Sequence, residues 1–121
     1  MTILSFLLCF SVSAQSEKAK QDAREKIEGY RQRVLNGESM RVLATLYTED
    51  PGSAKTGGEY YNIAKGAFVP EFEEVAFKMT PGEISQIFET KYGFHFVQLI
   101  ARRGDVIDVR HILVVPKDET K

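Results

Sequence analysis

"YGFHFVQLIARRGDVIDVRHILVV", residues 92–115, decides the fold. Two runs rich in aromatic and branched residues, 94–101 and 106–115, flank a short "RRGD" connector. Such runs read as strands, and the glycine marks a turn between them. Pro116 stops the second run. Strands that follow each other so closely in the chain pair antiparallel. The stretch also holds both histidines of the protein, His95 and His111. Taken singly, a histidine among aromatics reads first as a core residue satisfied by a neighbour.

Working outward, "ISQIFET" (84–90) reads as another strand, bounded by the turns "TPGE" and "KYG". "PEFEEVAF" (70–77) reads as a short helix. Pro70 suits its first turn, and Glu71, Glu73 and Glu74 suit the positive end of its dipole. Glu73 and Glu74 are adjacent and so do not share one cleft; they read as solvated charges. Ala19, Ala23, Ile27, Tyr30 and Val34 recur at helical spacing and predict a helix over 16–36, capped by Ser16 and ended by Asn36-Gly37. A second helix opens at Ser39, with Val42, Leu43, Leu46 and Tyr47 as its apolar side, and stops before Pro51. The turn-rich loop "TEDPGSAKTGGEYYN" follows, long enough to carry function. Helices first and hairpin strands last imply an α+β fold with an antiparallel sheet.

Composition narrows the function. A chain of 121 residues suits one small domain. Sixteen basic against seventeen acidic residues give no basic excess for nucleic acid. One cysteine, Cys9, and two distant histidines give no disulfide framework and no metal-ligand spacing. The phosphate-loop pattern and the nucleophile elbow are absent. At the N-terminus, "MTILSFLLCFSVSAQ" has two readings. One is an exported protein's signal with cleavage after Ala14. The other is a buried strand over residues 3–12. The run is too short to span a bilayer, so no stable membrane insertion is expected.

Asp50 before a proline is an ordinary turn residue, and Phe68 and Phe72 around a helix start are ordinary core. These residue types alone reach an α+β domain with an apolar pocket and one or two polar groups. Their order and spacing carry more. "YTEDPGSAKTGGE", "GAFVPEFEEVAFKMTPGEIS" and "ETKYGFHFVQL" resemble the parvulin family of peptidyl-prolyl cis/trans isomerases. The resemblance covers residues 16–103 and is strongest from Leu43 to Leu99.

The resemblance implies a small antiparallel sheet of about four strands surrounded by about four helices. It implies no metal and no cofactor. The substrate is an X–Pro bond in an unfolded or nascent polypeptide, and the task is assistance to folding. Rotation about that bond faces a barrier of about 18–20 kcal/mol because it breaks amide resonance. By motif, Phe72 and Phe68 form the proline pocket, and Tyr60 stands on its rim where the family commonly has leucine. Asp50 takes the acidic or cysteine position near the twisting carbonyl. His95 matches the second of two buried histidines, with Thr90 and Tyr92 continuing the network.

Three departures stand out. Tyr61 replaces a usual glycine, Ile63 replaces a large aromatic, and the opening strand with the first histidine, often "RHIL", is missing from its place. That motif occurs instead at residues 110–113. In tandem-parvulin chaperones of the SurA type, such a strand starts the next repeat. The expected division is therefore 1–14 as signal or divergent first strand, 15–103 as rotamase domain, and 104–121 as an extra strand with a polar tail. The empty first-strand position is filled by 106–115 or by 3–12. Pairing about Arg103 sets His95 opposite His111, so that His111 replaces the missing histidine within one chain or through a strand-exchanged homodimer. A non-catalytic chaperone module that binds extended or Pro-containing segments, and an inactive fragment of a tandem chaperone, are the alternatives. Family resemblance and the signal reading together imply a periplasmic or otherwise exported protein.

Overall fold

The computed structural model describes the backbone of residues 2–117 and the side chains of residues 16–117. Three α-helices, a 3-10 turn and four strands follow in the order α1 (Thr2–Leu35), α2 (Met40–Tyr47), the turn Ala54–Thr56, β1 (Glu59–Ile63), α3 (Pro70–Ala76), β2 (Phe88–Thr90), β3 (Gly93–Arg103) and β4 (Val106–Val114). The strands form one antiparallel sheet in the order β1-β4-β3-β2. No helix among the described residues is long and apolar enough to cross a membrane.

The β3–β4 hairpin forms as its sequence requires, with Arg103 paired to Val106 around Gly104 and Asp105. Its side chains alternate across the sheet. Phe94, Phe96, Ile112 and Val114 face α1 and α2, where they meet Ala23, Ile27, Met40, Leu43 and Ala44. Val97, Leu99, Ile107 and Val109 face α3, where they meet Phe72, Ala76 and Met79. Covered on both faces, these strands have to be apolar almost throughout. The few polar residues on them are therefore conspicuous.

The first-strand position is filled by β4. The alternative of a strand over 3–12 is overturned, because that segment is helical and continuous with the helix that follows. No glycine or proline lies between Thr2 and Gln15 to break it. Ser16 consequently sits inside α1 and does not cap it. The far end behaves as expected, with Gly37 at φ 107° and its amide bonded to the Val34 carbonyl. In α2, Ser39 caps through a 3.2 Å bond from the Val42 amide. Its buried face is Met40, Leu43 and Ala44, whereas Val42 and Leu46 are exposed. Met40 and Ala44 complete a tighter helical stripe than the one the larger side chains suggested.

Two further elements differ from expectation. β1 lies inside the segment read as loop. Its alternation is broken by an irregularity between Tyr60 and Ile63, where Asn62 adopts φ 57° and donates its amide to Asp108. The strand expected over 84–90 shortens to Phe88–Thr90, preceded by a single bridge from Ile84 to Gln98.

Gly58 fixes how β4 meets the loop before β1. It lies at φ 83°, and its carbonyl accepts the His111 amide at 2.9 Å. A Cβ there would stand 2.4 Å from the His111 carbonyl oxygen and 2.9 Å from the Ala44 Cβ. Gly58→Ala is expected to lower stability by at least about 1 kcal/mol in urea unfolding. An unchanged midpoint contradicts this packing.

Candidate active site

One cleft of about 600 Å³ opens between the sheet, α3 and the loop after α2. Its apolar wall includes Tyr60, Phe68, Phe72, Leu113 and Val115, and its polar floor includes Asp50, His95 and His111. Phe72 is the hub of the wall. Its ring stands edge-on to Phe68 at 5.1 Å, to His111 at 5.4 Å and to His95 at 5.8 Å between centroids. Phe88 stacks on His95 at 5.2 Å. Phe68 is delivered by the loop before α3, whose Gly66 and Phe68 amides both donate to the Glu73 carboxylate. Glu73, read from sequence as a solvated charge, thus shapes the wall indirectly.

His95 and His111 meet within the chain. The turn centres on Gly104 and Asp105 and not on Arg103, and a bulge between Leu99 and Ala101 moves the register by one residue, so His95 pairs with Leu113 and His111 with Val97. Because the offset from direct opposition is two residues, both rings remain on the same face. They stack with centroids 5.5 Å apart and Nδ1 atoms 3.4 Å apart. Both histidines are buried.

From this pair a hydrogen-bond chain extends in both directions. His111 Nε2 lies 2.7 Å from Asp50 Oδ2. His95 Nε2 lies 2.7 Å from Thr90 Oγ1, which accepts the Tyr92 amide at 3.1 Å. With both rings neutral, one proton arrangement satisfies every link. A carboxylate only accepts, so His111 carries its proton on Nε2. Its Nδ1 then accepts from His95 Nδ1–H, and His95 Nε2 accepts from the Thr90 hydroxyl. No buried side-chain nitrogen or oxygen among the described residues is left without a partner.

Asp50 is the terminus of the chain and its anchor. Its Oδ2 accepts from His111, from the Tyr60 hydroxyl at 2.7 Å and from the Ser53 hydroxyl at 2.8 Å. Its Oδ1 accepts the Gly52 amide at 3.0 Å, an Asx turn that sets the loop. The hydrogen bond from His111, helped by those from Tyr60 and Ser53, outweighs burial and holds this carboxyl far below its ordinary range. Burial and the bond to Asp50 push the Tyr60 phenol up to about 12. Burial, with the neighbouring His111, pushes His95 down to about 4.

All eight residues singled out from the sequence therefore meet at one place, although Thr90 stands behind the cleft and not on its surface. Tyr92 sits exposed on the rim and joins the network through its backbone. Ser53, Gly52 and Glu49 carry no motif of their own and were missed. Ser53 is fully buried, and Glu49 accepts the Val115 amide at 2.7 Å, tying the end of β4 to the Asp50 loop. Tyr61 and Ile63 do not line the cleft: Tyr61 points to solvent and Ile63 packs in the core. No cluster suited to a metal ion occurs among the described residues.

Residues 7–101 match the rotamase family, described as the PPIC-type PPIASE domain. The chain belongs to the parvulin family. It is 35% identical over 87 residues to the chaperone SurA of Nitrosococcus oceani, covering 72% of this chain and 20% of that protein. It is likewise 35% identical over 92 residues to the foldase protein PrsA 3 of Bacillus anthracis, covering 76% of this chain and 30% of that protein. The crystal structure of the peptidylprolyl isomerase PrsA from Bacillus cereus superposes with a TM-score of 0.60 at 32% identity, over 69% of this chain and 31% of that one. The chain thus spans between a fifth and a third of the length of these parvulin relatives. The match ends at residue 101, whereas β4, with His111, lies beyond it.

The neutral His95 makes stability depend on pH. Unfolded, it takes up a proton near its ordinary 6.5; folded, it does so only near 4. Between those values the unfolded chain holds more protons, so stability falls as pH falls. The contribution is fully present above about pH 6.5 and is lost as pH falls to 4, a loss of ~3 kcal/mol. Asp50, depressed from 3.8, acts in the same direction at lower pH. Urea midpoints are expected to decline steadily from pH 7 to pH 4.5. A level or rising midpoint contradicts a buried, neutral His95.

Proposed function

We propose that the cleft binds an X–Pro segment of an unfolded polypeptide and accelerates rotation about its peptide bond. The observation that carries this reading is the placement of an apolar, aromatic-lined slot directly against a carboxylate held by four donors. Phe68, Phe72, Tyr60 and Leu113 give this part of the cleft an apolar lining for a proline ring. Asp50 stands at the slot, held by its donors at a position that does not depend on substrate.

The chemistry needs no covalent bond. In a planar amide, resonance places negative charge on the carbonyl oxygen; twisting the bond withdraws that charge to nitrogen. A preorganised carboxylate near the oxygen is therefore less unfavourable to the twisted amide than to the planar one, and an apolar grip on the ring tolerates both. That difference is what lowers a barrier. His111 and His95 hold Asp50 from behind, Thr90 fixes the far end of the network, and Tyr92 edges the opening.

His111 is supplied by the chain's own C-terminal strand, so strand exchange with a second copy is not required to complete the site. The departures at Tyr61 and Ile63 leave the cleft untouched. The similarity to a chaperone and a foldase supports a role in protein folding. The signal reading of residues 1–14 supports action outside the cytoplasm.

A protease-coupled or NMR exchange assay on a proline peptide tests the reading. The folded chain is expected to accelerate isomerisation, and Phe68→Ala to raise KM about tenfold, the worth of ~1.4 kcal/mol of apolar contact. A folded chain without acceleration contradicts it. If the peptide then still perturbs the cleft's NMR signals, the binding module is what remains.

A further inference from the structure

We propose that Tyr60 is a positioning residue for the isomerisation: its hydroxyl fixes the Asp50 carboxylate while its ring walls the proline slot. The inference rests on the isomerase reading of the cleft.

Asp50 belongs to a loop, and a loop carboxylate is placed only as well as its anchors. Of its four donors, Gly52 and Ser53 lie on the same loop and move with it. The other two come from the sheet. His111 is on β4, and Tyr60 is on β1, paired with Val109 of β4. Tyr60 and His111 thus tie the carboxylate to two adjacent strands from two directions, both at 2.7 Å. The phenol ring is itself held, edge-on to Phe68 at 4.9 Å and tilted over His111 at 5.6 Å. Leucine, the residue expected at this position from the resemblance, offers the wall without the anchor.

The loop is shaped to admit the hydroxyl. A Cβ at Gly52 would stand 2.4 Å from the Tyr60 oxygen and 3.3 Å from Asp50 Oδ1. Any larger residue at 52 displaces the phenol from the carboxylate while leaving both side chains present. Gly52 and Tyr60 therefore function as a pair.

The test is a set of kcat and KM values for the wild-type chain, Tyr60→Phe, Asp50→Ala, the double variant and Gly52→Ala. Tyr60→Phe keeps the ring, so KM is expected to stay within about twofold while kcat falls roughly three- to tenfold. In the Asp50→Ala background, Tyr60→Phe is expected to have no further effect, because the hydroxyl acts through that carboxylate. Gly52→Ala is expected to lower kcat in the same range. A Tyr60→Phe chain with wild-type kcat overturns the proposal. So does an equal loss in the Asp50→Ala background, which means the hydroxyl acts on the peptide itself. Failure of the isomerase reading gives a different result, a wild-type chain with no acceleration to lose.

Discussion

The pairing of β4 between β1 and β3 is the constraint on which the structure depends. It places an apolar strand where both faces of the sheet are covered, and it carries His111 to the floor of the cleft. Nothing else in the described chain supplies that imidazole. The family match stops before this strand begins. The domain is thus closed by a segment from the opposite end of the chain to the one that the parvulin resemblance leads one to expect. Geometry permits this because the first and last strands of such a sheet are antiparallel neighbours. A tight hairpin reaches the same position as a strand entering from the N-terminus.

The site follows from that closure. A histidine pair in a dry interior is costly unless each ring nitrogen has a partner. Here the partners run in one direction, from the Tyr92 amide through Thr90, His95 and His111 to Asp50. Asp50 sets the direction because it can only accept. Burial keeps His95 neutral, and the convergence of donors keeps Asp50 ionised. The network asks none of its members to exchange a proton or form a bond. It holds one charge still beside an apolar slot, which suits a reaction whose barrier is the loss of amide resonance.

Much of this was legible in the sequence, for reasons that differ by element. The hairpin was clear because strands covered on both faces have to be nearly continuous in apolar residues. α3 was clear from Pro70 and its acidic first turn. β1 was hidden because an irregularity at Asn62 breaks its alternation, and because its exposed Tyr61 and paired Glu59 give no apolar rhythm. The His95–His111 contact was foreseen, but its register was not: the turn centres on Gly104 and Asp105 and not on Arg103, and the bulge beyond Leu99 carries no local signal. Ser53 and Gly52 were silent for another reason. A small residue in a turn announces the turn, and not the carboxylate it holds.

The central claim is that β4 brings His111 into one directed chain with His95 and Asp50. Long-range 15N–1H correlation spectra of the two imidazoles at pH 7 test it most directly. The account predicts the Nδ1–H tautomer for His95 and the Nε2–H tautomer for His111. A His95 carrying its proton on Nε2, or a His111 carrying it on Nδ1, contradicts it.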